Sequence, residues 1–207
     1  MRITVVARRQ AAPGQGTALG AAITQLVGTP AVWPTHLQSV QVFRNGDNPD
    51  LFLSLSEWDS REAYQASMAE RAAEQLDALS LGPPDRYFFR PWVAYANPGT
   101  EAAALEAAVI TYAPEQTDAV QMFILREAAR RVRHVAGFCY RRVFKDVDIP
   151  TRLLVVRGWD SAASLERFVR DVRPELEEQQ PPGGVTADHF VGILDIDLHR
   201  SEPPGAE

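Results

Sequence analysis

Apolar and polar positions along the chain change period in a fixed order, and that order occurs twice. Ile3–Ala7 is rich in β-branched residues and predicts a strand, which Pro13-Gly14 breaks. Leu19, Ile23 and Leu26 then recur at helical spacing, predicting a helix over 17–26 that Thr29-Pro30 stops. Leu37–Arg44 alternates, with Val40 and Val42 on one face, and Asn45-Gly46 and Asn48-Pro49-Asp50 are turn signals. Leu51–Glu57 is the next strand, with Leu51, Leu53 and Leu55 on one face and Phe52, Ser54 and Ser56 on the other. A second helix begins just after Trp58. Asp59 is its expected cap, Glu62 completes a capping box, and Tyr64, Met68 and Ala72 form one stripe. A strand around Arg86–Tyr95 closes the round.

The second round reads strand Ala107–Tyr112, helix Asp118–Val135, strand Phe138–Phe144, strand Arg152–Arg157, helix Ser161–Leu176 and strand His189–His199. Pro181-Pro182-Gly183-Gly184 leads into its last strand, and Asn97-Pro98-Gly99 separates the rounds. Trp58-Asp59-Ser60 returns as Trp159-Asp160-Ser161, an offset of 101 (159 minus 58). The same offset pairs Pro13 with Pro114, Val42 with Val143 and Phe43 with Phe144. A tryptophan-containing tripeptide with further matches in one register marks a duplication. The expected modules are residues 1–96 and 107–200.

A βαββαβ unit forms a four-stranded antiparallel sheet with both helices on one side. Its other face is apolar and needs a cover. A second identical sheet in the same chain supplies one at an effective concentration of roughly millimolar or more. The expected fold class is therefore α+β: two tandem ferredoxin-like βαββαβ modules forming an intramolecular dimeric α+β barrel. The opposed sheets would enclose an apolar chamber. The chain would be a pseudo-dimeric monomer, open to further homodimer formation.

Composition narrows the partners. The chain has 207 residues, 45% of them apolar, enough for a sizeable core. A net charge of −6 argues against nucleic acid, although Arg130, Arg131 and Arg133 cluster. The single cysteine, Cys139, excludes an internal disulfide. No apolar run approaches the roughly 18 residues that span a bilayer, and the N-terminus lacks a signal-peptide core, so the expectation is a cytoplasmic protein with no membrane partner. Four scattered histidines and one cysteine give no metal-ligand spacing, and no Gly-x-Gly-x-x-Gly fingerprint indicates a tightly bound dinucleotide.

The stretch Leu51–Ala66, LFLSLSEWDSREAYQA, resembles the central signature of the antibiotic biosynthesis monooxygenase domain, and HLQSVQVFRNGDNPD is similar to that family's second strand and turn. VAGFCYRRVFKDVDIPTRLLVVRGWDSAASLERF resembles the signature equally well, so the two copies cover nearly the whole chain. The resemblance implies an oxygenase acting on a small aromatic molecule, an anthrone-like or hydroquinone-like polyketide. It implies dioxygen without a metal and without a tightly bound cofactor, with reduced flavin (FMN or FAD) as a cosubstrate in some relatives. Anthrone-oxidising relatives pair a Trp with a Tyr six residues on, as Trp58 and Tyr64 do here. Their Asn four residues before the Trp is Ser54 in this chain. Haem-degrading relatives carry an iron-ligating His ten residues after the Trp, where this chain has Met68 and Val169. The superfamily also holds decarboxylases, isomerases and proteins without known chemistry, so a non-oxidative cyclase or isomerase, or a binding module, remains the alternative.

Cofactor-free oxygenation needs a substrate made electron-rich by proton loss, donors placed at the resulting oxyanion, and a dry apolar site. Trp58 and Tyr64 are candidates for this chemistry, and Trp58 also reads as a core aromatic locking strand to helix. Leu165 replaces Tyr64 at the repeat offset, so packing alone does not require the phenol. This asymmetry favours one working pocket, in the first copy. His36 is that copy's general-base candidate. Ser54, Met68, Arg90 and Trp92 are the substrate-contact candidates, and an arginine on the last strand, Arg86 or Arg90, could hold a phenolate. The second copy offers His134, Tyr140, Arg142, Arg157 and His189 as polar groups of its own.

Overall fold

In the computed structural model, residues 1–28, 33–70, 74–182 and 184–199 are described; side chains at 68–70, 74, 75 and 127 are not. Thr29-Pro30, Ala72, Gly183 and the side chain of Met68 therefore lie outside the described residues. The elements follow the two predicted rounds. They are β1 (Ile3–Gln10), α1 (Gly16–Val27), β2 (Leu37–Asn45), β3 (Leu51–Trp58), α2 (Arg61–Glu70), α3 (Glu74–Ala78) and β4 (Asp85–Ala96). Then come β5 (Ala104–Thr111), α4 (Thr117–Met122), α5 (Ala129–Val132), β6 (Phe138–Asp146), β7 (Arg152–Trp159), α6 (Ala162–Arg167), α7 (Arg173–Glu178) and β8 (Thr186–His199).

The chain divides into two compact units, one of residues Met1–Phe88 with Leu194–Glu207, the other Phe89–Ile193. β4 and β8 each run from one unit into the other. The first unit has strand order β4-β1-β3-β2-β8 and the second β8-β5-β7-β6-β4. Each contains the antiparallel ferredoxin-like order of a βαββαβ module. Register proves the duplication residue by residue. Ile3 and Leu37 pair with Trp58, and Ala104 and Phe138 pair with Trp159. Both modules also carry the same bulge, between Leu37 and Ser39 and between Phe138 and Tyr140.

That bulge has a consequence for the first module. An extra residue reverses the alternation, so Leu37 and Val40, three apart, both face the helices with Val42. Val5 on β1 and Phe52 and Trp58 on β3 complete this face and pack with Leu19 and Ile23 of α1 and Tyr64 of α2. The other face of β3 carries Leu53 and Leu55, also buried.

Both second helices are capped by the serine after the aspartate. Ser60 Oγ accepts from Ala63 N (3.2 Å) and Ser161 Oγ from Ser164 N (3.2 Å). This corrects the expectation for Asp59, whose carboxylate instead accepts from Gln38 (2.9 Å) and lies 3.1 Å from the His36 ring. The predicted helices 118–135 and 161–176 are interrupted by π-helical turns at Phe123–Ala128 and Phe168–Val172. Such a turn inserts one residue into the helical ladder, which apolar periodicity does not reveal. Among the described residues no helix is long and apolar enough to cross a membrane.

Candidate functional site

The N-terminal unit holds a cavity of about 150 Å³ between its sheet and its helices. The sheet side is Val5, Ala7 and Arg9 of β1, Leu37, Val40 and Val42 of β2, and Phe52, Ser54, Ser56 and Trp58 of β3. Ile23, Leu26 and Val27 of α1, Tyr64 of α2 and Leu76 of α3 form the helix side, and Arg86 of β4 also lines it. The expected chamber lay between two sheets. This cavity instead lies on the helix side of one sheet, because the polar exceptions Ser54 and Ser56 follow Phe52 on that face and leave room there.

Trp58 and Tyr64 meet edge to face, ring centroids 5.3 Å apart, and Tyr64 meets Phe88 at 5.5 Å. This arrangement aligns positive ring edges with negative faces and fixes both rings. Trp58 Nε1 donates to Ser56 Oγ at 2.9 Å, so the indole N–H is committed while the serine hydroxyl keeps its own proton to donate. Ser54 Oγ lies 3.5 Å from the Ala7 carbonyl, a weak contact that leaves its hydroxyl adaptable.

Charge at the site comes from two arginines. Arg9 is buried and held by Asp77 (2.6 Å) and Ser80 (3.0 Å). Arg86 is exposed and its charge acts on the Tyr64 phenol. Burial pushes the Tyr64 phenol up, and the positive charges of Arg86 and Arg9 oppose it without reversing it. The phenol therefore stays protonated at neutral pH and is a donor.

The structure brings Trp58, Tyr64, Ser54 and Arg86 to one cavity; the side chain of Met68 lies outside the described residues, and His36, Arg90 and Trp92 are placed elsewhere. His36 is 59% exposed and pairs with Asp59, so it is a surface ion-pair residue rather than a base in the cavity. Arg90 and Trp92 belong to the C-terminal unit, where Arg90 pairs in the β4–β6 ladder opposite Lys145. The Trp92 ring there carries the Lys145 ammonium at 3.8 Å. Arg9 and Ser56 were not singled out from sequence. Ser56 shares the face of Phe52 and Ser54 by simple alternation, and that was the available signal.

At the offset of 101 the C-terminal unit carries a different set on the same face. Val5 becomes Glu106, Val40 becomes Arg141, Ser56 becomes Arg157, Ser67 becomes Phe168 and Phe88 becomes His189. Glu106 is ion-paired with Arg157, and His189 Nδ1 lies 2.7 Å from its other oxygen. Burial alone would push the Glu106 carboxyl up; the Arg157 charge and the His189 contact outweigh it and hold it at about 2. Arg141 donates to the Ile124 carbonyl (2.6 Å) within a π-helical turn. Burial, with the neighbouring Arg157 charge, drops Arg141 to about 9. Phe168 stacks on Trp159 at 4.8 Å. The corresponding pocket in this unit, bordered by Arg157, His189 and Phe168, is about 20 Å³. His134, in contrast, is a surface residue beside Arg133.

Two ferredoxin-like modules in one chain, one of them with an aromatic-walled cavity, define a tandem ferredoxin-like α+β protein. The model of the antibiotic biosynthesis monooxygenase family matches residues 2–77 and 104–172, and the chain belongs to that family. Among solved structures it is similar to an anthrone oxidase-like protein at 14% identity, covering 100% of this chain and 96% of that one, with a TM-score of 0.73. A protein from Fusobacterium nucleatum whose monooxygenase assignment is provisional matches at 9% identity, covering 96% and 94%, with a TM-score of 0.71. A regulator of staphylococcal pathogenesis matches at 12% identity, covering 92% and 98%, with a TM-score of 0.51. These likenesses share a fold and differ in their described roles. Curated protein sequences yielded no match.

Proposed function

We propose that the chain is an oxygenase for a small electron-rich aromatic molecule of the phenol or hydroquinone type, bound in the N-terminal cavity. The observation that carries the proposal is the cavity itself: apolar walls, an edge-to-face Trp58–Tyr64 pair, and donors from Tyr64, Ser56 and Arg86. Apolar walls exclude water and admit dioxygen, and the donors lower the cost of ionising a phenol. Among the described residues no carboxylate or imidazole lines the cavity; the substrate proton passes to water at the opening while Arg86 favours the phenolate. The protonated Tyr64 donates to the oxyanion, and Trp58 holds the ring plane against which it lies.

The electron-rich substrate then reduces dioxygen, one oxygen atom entering the ring and the other leaving as water. A cavity of about 150 Å³ does not enclose the three fused rings of a flavin, so a reduced flavin would act as a cosubstrate from solution. Reduced flavin arriving from solution is a variable of the test. The experiment is oxygen uptake with a panel of hydroquinones and anthrones, with and without reduced flavin. Uptake should depend on Tyr64 and Trp58. Uptake unchanged in the Trp58→Phe, Tyr64→Phe double variant would remove the site. Saturable binding with no uptake from any substrate would make the chain a binding module.

A further inference from the structure

We infer that the substrate of the N-terminal cavity is a single-ring hydroquinone or phenol rather than a fused polycycle, an inference that rests on the oxygenase reading above. Its first support is size. The cavity measures about 150 Å³, and an apolar cavity of roughly this volume accommodates a benzene ring. A linear three-ring skeleton needs more space than that and would have to displace a wall or leave rings outside the opening.

The second support is that the walls are held in place. Phe52 and Trp58 are 2% and 3% exposed, and each is fastened from a second direction. The Arg44 guanidinium lies 5.1 Å from the Phe52 ring centre and is itself held by Asp195 at 3.1 Å. Trp58 is held by the Ser56 hydrogen bond and the Tyr64 ring. Val5, Val40 and Val42 are β-branched residues on hydrogen-bonded strands, with one strongly preferred side-chain rotamer or few. Widening the cavity would move several buried side chains at once, and packed interiors resist that.

The third support is charge. Arg9 is neutralised by Asp77, whereas Arg86 has no ion-pair partner among the described residues. A cation uncompensated among the described residues, beside one phenol donor, suits a single ionised oxygen on the ring. The redox balance of such a substrate closes without a further reductant. A para-hydroquinone and dioxygen give a hydroxyquinone and water. The ring loses four electrons, two on becoming a quinone and two on gaining the new C–O bond; dioxygen accepts all four. One of its atoms becomes the ring oxygen, and the other leaves as water with the two hydrogens lost by the hydroquinone.

The test uses the full chain and two probes, methylhydroquinone and 1,8-dihydroxyanthrone. Anaerobic calorimetry should show methylhydroquinone saturating one site per chain and binding at least tenfold more tightly than the anthrone. Arg86→Gln should weaken it about tenfold with an unchanged circular dichroism spectrum, and aerobic uptake should follow the same order. Uptake with the anthrone and none with methylhydroquinone would overturn the ring-size inference and spare the oxygenase reading. Methylhydroquinone binding without uptake from either probe would overturn the oxygenase reading, and with it the inference as a statement about a substrate.

Discussion

The two units share strand register, a bulge and a Trp at the end of the third module strand, yet the pocket on the helix side of the sheet is about 150 Å³ in one and about 20 Å³ in the other. The difference lies in a handful of side chains on one sheet face and one helix. In the C-terminal unit Phe168 occupies the helix position of Ser67, and Glu106, Arg157 and His189 replace Val5, Ser56 and Phe88. The bulky ring and the paired charges fill the space. Trp159 shows the cost: with Arg157 in place of a serine, its Nε1 has no partner among the described residues, whereas Trp58 Nε1 has Ser56. One backbone thus supports a cavity in one copy and a filled, ion-paired core in the other.

The comparison can be broken most severely at Glu106. Glu106→Val installs the N-terminal residue and leaves Arg157 buried without its partner, so urea denaturation should show a loss of about 3–5 kcal/mol. The triple variant Glu106→Val, Arg157→Ser, His189→Phe removes the Glu106 ion pairs together, keeping Arg141 on the Ile124 carbonyl, and should recover much of that loss, because replacing a whole buried ion pair is often nearly neutral. A triple variant no more stable than the single would mean the cluster is not acting as a unit.

Phe168→Ser removes the ring stacked on Trp159 and should also cost about 3–5 kcal/mol, in line with large-to-small core changes. Its mirror, Ser67→Phe, should leave the melting temperature within a few degrees and abolish ligand binding, because the new ring enters the space beside Trp58. Binding retained in Ser67→Phe would place the ligand elsewhere.

Acid separates the units next. The folded pKa of Glu106, about 2, lies below its ordinary 4.5. A depressed carboxyl stabilises the fold fully above its unfolded pKa, and that contribution is lost as the pH falls from about 4.5 toward 2. Its size is of order 3 kcal/mol. Denaturation between pH 6 and 2.5 should show this loss in the wild type and a shallower one in the triple variant, which lacks Glu106. Equal slopes would contradict the assigned role. The smallest effect is expected at His36. Its exposed pair with Asp59 contributes at most about 1 kcal/mol, and His36→Ala should change oxygen uptake little.

Much of the fold was legible because periodicity and a repeated tripeptide are local signals. Each predicted strand is present within a few residues, and the offset of 101 appears unchanged in the ladder registers. The π-helical turns and the serine caps were not legible, since both depend on backbone geometry that neighbouring residue types leave open. Site placement divided along the same line. Ser54, Trp58 and Tyr64 share a face by alternation and helical spacing, and they meet at the cavity. His36 sits at the end of a loop where Asp59 can reach it, and Arg90 and Trp92 lie beyond the point where β4 leaves the first unit. Those placements follow from tertiary contacts. The charged core of the second copy was half visible: Arg157 and His189 stood out as polar groups, but Glu106 shows its meaning only when aligned with Val5.

The central claim is that the N-terminal cavity is the ligand site and the C-terminal counterpart is closed. A crystal structure of the full chain grown anaerobically with methylhydroquinone tests it most directly. The expected result is one ring per chain lying against Trp58, with an oxygen within hydrogen-bond distance of Tyr64 or Arg86. A ring seated beside Arg157 and His189, with the Trp58 cavity empty, would contradict it.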